Sequence, residues 1–443
     1  MVKTVKIKNK KALVIAYSFP PVGRDRSTRT LKFVKFLSRM GWGITVLTVK
    51  KPLVPNYDYS LVDDIPKDVH VIRTSSIEGN FFRRTVESES GFGSRVAQEG
   101  FARSFIKRVS DLFILPDSRI GWVPFTVFSG IKAVRNNAID VIYVSGEPFS
   151  SFISAAIIKI ITRRPLIFDF RDDWVGFNSF FREKGRFVQI FELMLERWVI
   201  NSSNAIITVN QAIAEDISKR HFKNREKRKV LTIYNGFDRD DLVGSRDCAD
   251  SQTQVLRLAY SGSLYPKRSA FAFFSALSEL FLEKPHLKKR IEVVFAGNVY
   301  IKKELARFPQ LKDVIEYKGF LSYAQSLSLM RSAHVLIFIE DQSEVSNRVL
   351  SGKIFDYLLC AKPILAIAGS GLVRDMVLET CAGKVALSND INSIKSSLLD
   401  LIEEFERTGK LSYFPNMGFI DKFDRQKQSE ELSQVMEELI NAS

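Results

Sequence analysis

The sequence predicts an α/β protein built from two doubly wound parallel sheets. Short, continuous apolar runs recur along the chain, and a helix-length segment follows each one. Unbroken apolar strands alternating with helices belong to a parallel sheet covered on both faces. The series halts at a polar stretch, 237–254, and then begins again. A length of 443 residues suits two or three domains, and a hydrophobic content of 45% gives each of them a core.

The first series opens with "ALVIAYSF" (12–19), then the helical pattern "RTLKFVKFLSRMG", with Gly41 as its stop signal. "GITVLTV" (43–49) follows. Residues 76–110, rich in Gly, Ser, Arg and aromatics, fit neither pattern and read as an excursion from the first domain. "DVIYVSG" (140–146) leads into "FSSFISAAIIKIITR", "PLIFDFRD" (165–172) into "VQIFELMLERWVI", and "NAIITVN" (204–210) into "QAIAEDISKR". "VLTIYNG" (230–236) closes the domain. In the second series "LRLAYSGSL" (256–264) precedes "SAFAFFSALSELFLE", and "IEVVFAGN" (291–298), "IEYKGF" (315–320), "HVLIFIE" (334–340) and "KPILAIAG" (362–369) follow. The expected domains are therefore 1–236 and 255–424, joined by a linker at 237–254, with a closing helix at 425–443.

Composition narrows the function classes. Net charge is +15, and residues 1–50 carry twelve Lys/Arg against the single acid Asp25. A field that concentrated points to an anionic partner: phosphates or an acidic membrane surface. The basic residues cluster at loop positions without a base-stacking motif, which argues against nucleic acid. Cys360 and Cys381 lie in apolar contexts, and with Cys248 they form no CxxC pair. They read as reduced packing residues of a cytoplasmic protein. The four histidines are scattered, so no His-based metal centre is expected. The first apolar run ends at Pro20–Pro21 where a signal peptide would need small residues, and "FSSFISAAIIKII" (149–161) is too short to span a bilayer. The expected location is the cytoplasm, at the inner face of the cell membrane.

In doubly wound sheets, ligands bind beyond the strand C-termini, and two sheets in series are expected to share a cleft there. At the first strand end Pro20, Pro21 and Gly23 shape a tight turn, and a helix beginning near Ser27 points its N-terminus at it. Together with Arg24 and Arg26 this makes an anion site. Lys32, Lys35 and Arg39 continue along that helix, as either a solvated or a membrane-facing stripe. The strand at 165–172 ends in Asp169, Arg171, Asp172, Asp173 and Trp174. Such a cluster is costly unless paired or ligand-bound, and Asp172 is the favoured ligand contact. In the second domain Gly262 allows close backbone approach, with Lys267 and Arg268 placed for phosphates. Ser351–Gly352 caps a further helix, followed by Lys353, with Asp356 one turn in. A carboxylate there can accept two hydrogen bonds from a vicinal diol such as ribose. There is no GxGxxG and no GxxxxGK[ST]. The set fits a nucleoside diphosphate bearing a further group.

These stretches resemble glycosyltransferases of the two-Rossmann (GT-B) kind, family 4 in particular. The resemblance runs almost end to end and rests on "AYSFPPVGRDRSTR" with "LSRMGWGITVLT", "LPDSRIGWVP" (115–124), "PLIFDFRDDW", "YSGSLYPKR" and "SGKIFDYLLCAKPILAI". It implies transfer of a sugar, with retention and without bound metal, from a UDP- or GDP-linked donor to a saccharide or lipid-linked acceptor in bacterial surface-polysaccharide assembly. It also implies that the closing helix returns to the first domain. In this scheme Asp172 and Arg171 are catalytic, and Arg24, Arg26 and Trp174 lie on the acceptor side. Gly23, Gly262, Lys267, Arg268, Ser351, Gly352, Lys353 and Asp356 hold the donor. The family commonly has two glutamates eight positions apart; here they map to Arg348 and Asp356, and an arginine usual after the second glycine turn is Ser263. A nucleotide-sugar 2-epimerase and a non-catalytic partner of the same fold are the competing readings. The aromatics among "FFRR" (81–84) and "FARSFIKRVSDLFILP" (101–116) are expected to add to membrane docking.

Overall fold

The computed structural model describes residues 10–52, 57–77, 115–176, 185–222, 229–242, 254–298, 300–340, 346–348 and 350–443. Two compact units form: residues 1–234 with 425–443, and residues 235–424.

The first unit holds a seven-stranded sheet in the order β3-β2-β1-β4-β5-β6-β7, parallel throughout. The strands are β1 (Lys11–Ala16), β2 (Gly43–Val49), β3 (His70–Thr74), β4 (Val141–Ser145), β5 (Leu166–Phe170), β6 (Ala205–Thr208) and β7 (Lys229–Thr232). Its helices are α1 (Arg24–Arg39), α2 (Val123–Asn137), α3 (Ser150–Thr162), α4 (Arg186–Ser202) and α5 (Gln211–His221). Alternation along β1 shows why the strand reads as one apolar run. Leu13 and Ile15 enter a core with Ala155, Val199 and Ile217 from α3, α4 and α5, while Ala12 and Val14 enter another with Leu31 and Val34 of α1.

The second unit has a six-stranded parallel sheet, order β10-β9-β8-β11-β12-β13. Its strands are β8 (Leu256–Ser261), β9 (Ile291–Ala296), β10 (Ile315–Gly319), β11 (Val335–Ile339), β12 (Ile364–Ala368) and β13 (Gly383–Leu387). Its helices are α6 (Phe271–Glu283), α7 (Tyr300–Leu305), α8 (Tyr323–Ser332), α9 (Lys353–Cys360), α10 (Leu372–Glu379), α11 (Ile391–Thr408) and α12 (Met417–Ile420). Val335, Ile337 and Ile339 face a core shared with α6 and α11, and Phe338 meets Tyr357 of α9 on the opposite face.

The last helix, α13 (Arg425–Asn441), returns to the first unit. Leu432, Val435 and Met436 share the core of α1, and the indole N–H of Trp42 donates to Ser433 Oγ at 2.9 Å.

Several details depart from the sequence reading. β3 and β13 are edge strands that the apolar runs did not reveal; β3 keeps His70 and Arg73 exposed. The described part of the expected linker is ordered: Phe237 bridges Asp424, and Arg239 pairs with Asp421 (2.6 Å) and Asp424 (2.8 Å). Lys32 and Lys35 form neither a solvated nor a membrane-facing stripe. Both are buried, and Lys32 pairs with Asp64 at 3.0 Å. Cys381 is exposed in a turn, unlike buried Cys360. Cys248, residues 78–114 and the side chains of residues 24–26 lie outside the described residues. No helix among the described residues is long and apolar enough to cross a membrane.

A buried charge cluster crosses the first sheet. The Arg29 guanidinium, on α1, donates bidentately to Asp169 of β5 at 2.8 Å for both bonds. It also donates to the carbonyls of Ile233 (2.9 Å) and Tyr234 (2.8 Å), just beyond β7. Tyr143 Oη donates to the same carboxylate at 2.5 Å. Burial alone would pull the Arg29 pKa down, but Asp169 more than restores it and the net shift is upward. Asp169→Asn would leave a buried cation without its counter-charge, a change that costs about 3–5 kcal/mol. All four tryptophans lie in this unit, so their emission during urea unfolding isolates the loss. A midpoint equal to wild type would show that the pair carries no net stability. The double change Arg29→Leu with Asp169→Leu is expected to recover part of the loss.

Candidate functional site

In each sheet the strand order reverses beside the first strand, between β1 and β4 and between β8 and β11. The loops after those strands diverge to opposite faces and leave a crevice at the strand C-termini. The residues on these loops define the candidate site of each unit.

In the second unit the loop after β8 begins at Gly262, with φ +145°. A Cβ there would meet Lys353 Nζ at 1.8 Å. Gly297, with φ +152°, ends β9 immediately beside it; its Cβ would meet the Gly262 carbonyl oxygen at 1.7 Å. Only glycine fits either place. Lys353 opens α9, and its ammonium lies 5.4 Å from the Tyr260 ring centroid. The Tyr357 hydroxyl, one turn on, donates to the Ile337 carbonyl at 2.9 Å and accepts from the Ser261 amide at 3.3 Å. This tyrosine locks α9 to the end of β8 and the middle of β11. Burial pushes the phenols of Tyr260 and Tyr357 up, so both stay neutral donors.

The second basic turn differs from expectation. Tyr265 and Arg268 exchange backbone bonds at 3.1 and 2.7 Å, which leaves Pro266 and exposed Lys267 at the tip. The Arg268 guanidinium sits 5.1 Å from the Tyr265 ring. Donors at the start of α6 are already used: Glu304 accepts from the Ala270 amide at 2.9 Å and from the Ser269 hydroxyl, and Ser269 Oγ accepts from Phe271 N at 3.0 Å. The amides at that helix start are therefore engaged within the unit, and the expected phosphate contact there would fall to the Lys267 and Arg268 side chains alone. The cation the fold brings against Gly262 is Lys353.

Ser351 and Gly352 precede α9, and Gly352 is its N-cap with no side-chain cap. Asp356 accepts from the Tyr323 hydroxyl at 2.9 Å, which also reaches Asp241 at 3.5 Å. The carboxylate is half-buried and oriented by that phenol. Arg348 lies in the short turn Ser346–Arg348. Exposed Ser263 offers its carbonyl to Tyr260 Oη at 3.1 Å. Sequence reasoning missed Glu340, a carboxylate buried at the end of β11 that accepts from Gly369 N at 3.3 Å. The acid closing "HVLIFIE" was the available signal. Gly297, which closes "IEVVFAG", was missed likewise.

In the first unit α1 begins at Arg24, not near Ser27. The Ser27 hydroxyl turns back to the carbonyls of Val22 (2.9 Å) and Gly23 (3.2 Å). Gly23 is the N-cap, with φ −56°. Arg24 and Arg26 stand on the first turn. The cluster at the end of β5 separates by role. Asp169 belongs to Arg29. Asp173 pairs with Arg220 at 2.6 Å, and that arginine also reaches Glu196 at 3.1 Å. The Trp174 ring stacks on Phe149 at 4.9 Å inside the core, so it supports the loop and presents no acceptor surface. Arg171 is half-buried, and Asp172 is the exposed carboxylate of the group. Asp117, in the "LPDSRIGW" stretch, accepts from Ser150 N at 2.9 Å and so caps α3; burial raises its pKa. Among the described residues no group of three or more His, Cys, Asp or Glu is placed to hold a metal ion.

The comparisons with known proteins agree with this architecture. Residues 27–241 match the sequence profile of Glycosyltransferase Family 4. No curated protein matches the sequence. Among solved structures, Anabaena HepE in complex with UDP and glucose superposes with a TM-score of 0.62 at 14% identity, over 97% of this chain and 100% of that one. Sucrose-phosphate synthase from Thermosynechococcus elongatus gives 0.61 at 13%, over 98% and 100%. The lipopolysaccharide outer core galactosyltransferase WaaB, in its apo form, gives 0.55 at 11%, over 94% and 97%. At these identities the likeness is one of fold: two Rossmann-like sheets of the GT-B kind.

Asn298 clamps the 263–269 turn through Leu264, accepting its amide at 3.2 Å and donating to its carbonyl at 2.7 Å. Asn298→Ala is expected to release that turn and speed tryptic cleavage after Lys267 severalfold, read by mass spectrometry of timed digests. Cleavage at the wild-type rate would mean that the backbone bridge alone holds it.

Proposed function

We propose that this chain, a GT-B protein resembling glycosyltransferase family 4, moves a sugar from a nucleotide-diphosphate donor to a saccharide or lipid-linked acceptor. The observation that carries this reading is the Lys353 ammonium held against Gly262 at the β8/β11 switch point. UDP is the first donor nucleotide to test, because HepE holds UDP and glucose; GDP is the second.

The donor's diphosphate would lie over Gly262 and Gly297, where the absence of side chains admits it, with Lys353 as its fixed cation. Asp356, oriented by Tyr323, would accept the ribose diol. The reaction breaks the bond between the anomeric carbon and the β-phosphate oxygen. The electron pair leaves with the diphosphate, and the acceptor oxygen bonds to the anomeric carbon as it loses its proton. Charge grows on the leaving group, so a desolvated, pre-placed cation stabilises the transition state more than the ground state. Front-face attack, with the leaving phosphate taking the acceptor's proton, would give retention. Exposed Asp172, at the end of β5, would orient the acceptor hydroxyl, with Arg171, Arg24 and Arg26 assigned to the acceptor side. Bacterial polysaccharide assembly is the setting we favour, and WaaB is one precedent on this fold.

A non-catalytic partner of the same fold is the second reading, favoured by Arg348 where the family pattern has a carboxylate. Both readings allow nucleotide binding. Only the first requires release of nucleotide from a nucleotide-sugar in the presence of acceptor, and a 2-epimerase would convert UDP-N-acetylglucosamine with no acceptor.

Two outcomes are expected. UDP or GDP at a hundredfold excess over Kd should stabilise the protein by about 2.7 kcal/mol, seen as a rise in Tm. Lys353→Ala and Gly262→Ala should each remove that rise, the second because its Cβ displaces the ammonium, whereas Lys267→Ala should leave most of it. Melting curves unmoved by either nucleotide at millimolar levels would sink the assignment. Asp172→Asn should keep nucleotide binding and lower kcat by roughly 10²–10⁴-fold; an unchanged kcat would remove Asp172 from the mechanism.

A further inference from the structure

The amphipathicity of α4 is inverted. Its acidic residues, Glu192 and Glu196, are turned into the unit and buried. Glu196 is matched there by Arg220 at 3.1 Å and by His221 at 2.7 Å. Its outward face carries Phe187, Ile190, Phe191, Met194 and Trp198, spaced as a single helical stripe. Phe187 is 70% exposed, Met194 66% and Trp198 38%. The basic residues of the helix, Arg186 and Arg197, are exposed beside that stripe. A water-facing helix should show the opposite pattern.

The surroundings extend the same surface. Helix α3 packs beside α4, and Lys159 of α3 donates to Asn204, just past the end of α4, at 2.5 Å. Exposed Ile160 and Ile161 therefore lie towards the Trp198 end, followed by exposed Arg163 and Arg164.

We propose that the outer face of α4, rimmed by Arg186 and Arg197 and continued by the C-terminal end of α3, is a docking surface for an anionic lipid bilayer. The helix is about 25 Å long at 1.5 Å per residue. It can lie in the plane of the interface with its apolar stripe among the acyl chains and its guanidiniums at the headgroups. A tryptophan on such a stripe favours the interfacial zone. Charge complementarity selects the occupant: every charged group on the outer side of α4 is cationic, and both of its acids are taken inward. A second copy of the chain would meet this face with charges of the same sign. The inference relocates the membrane contact expected from the first fifty residues, and it stands independently of the transferase reading.

The test is flotation of the purified full chain with phosphatidylcholine vesicles, with and without phosphatidylglycerol. Binding should require phosphatidylglycerol and weaken with salt. Trp198 is the single exposed tryptophan of four; Trp42, Trp122 and Trp174 are buried. Brominated lipid should quench its emission, and Trp198→Phe should abolish the quenching. Ile190→Glu with Met194→Glu, and separately Arg186→Glu with Arg197→Glu, should each lower the bound fraction at least about tenfold, given roughly 1 kcal/mol per basic residue at an acidic surface. Unchanged circular dichroism and urea midpoints would show that the variants fold. Lys353→Ala should float as wild type, which separates this result from the fate of the transferase proposal. Wild-type flotation by the Ile190/Met194 variant would overturn the inference. So would quenching that persists in Trp198→Phe, or a dimer that this variant dissociates while vesicles are ignored.

Discussion

The salt bridge between Arg29 and Asp169 is the constraint on which the first unit is organised. It joins the helix after β1 to the end of β5 through two bonds of 2.8 Å, and both partners are buried. Two further guanidinium donors go to the carbonyls of Ile233 and Tyr234. The chain passes to the second unit at the very next residue, Asn235, and comes back at Arg425. Arg425 joins the same neighbourhood, donating to Gln428 at 2.8 Å, with its guanidinium over Phe33. Burial, and then the charge of Arg29, pull its pKa down. Both crossing points of the chain are thus anchored to one buried ionic cluster. A group that costs so much to desolvate, placed there, defines where the first unit ends.

The second unit solves a different problem with the same chemistry. Here a cation is held against backbone and an aromatic ring. Lys353 reaches under a glycine, over an aromatic face, from a helix that Tyr357 ties to β8 and β11. An ammonium held in this way is the cation proposed above to meet the donor's diphosphate. Lys267, which carries the more obvious sequence signal, sits at a solvated turn tip where its charge is screened. Carboxylates follow the same division. Glu304 and Asp117 spend their charge on helix starts, while Asp356 is held by a phenol and Asp172 stays exposed.

The outer helices show that charge counts along the chain do not predict surfaces. Residues 1–50 hold most of the net charge, yet Lys32 and Lys35 are buried there. The surface we propose for lipid is on α4, with two acids and two arginines in its seventeen residues. What distinguishes it is which side each charge takes.

Sequence alone determined the two sheets and their parallel character, whereas the return of the final helix was implied by the family resemblance. Continuous apolar strands can be satisfied only inside layers of helices, and that demand is local to each run. It also pointed to the loops after β1 and β8 through Gly23 and Gly262, but it passed over Gly297 at the end of β9. It missed β3 and β13, whose half-exposed edge positions need no apolar run. Tertiary structure alone decided the partners. "DFRDDW" reads as one cluster, but alternation along β5 and the turn after it send Asp169 to Arg29, Asp173 to Arg220, Trp174 into the core and Asp172 outward. Likewise, nothing in "SGK" says that its lysine will lie on a glycine ninety-one positions earlier. An ion pair or a close approach is a property of two segments at once, and its energy depends on burial that neither segment encodes by itself.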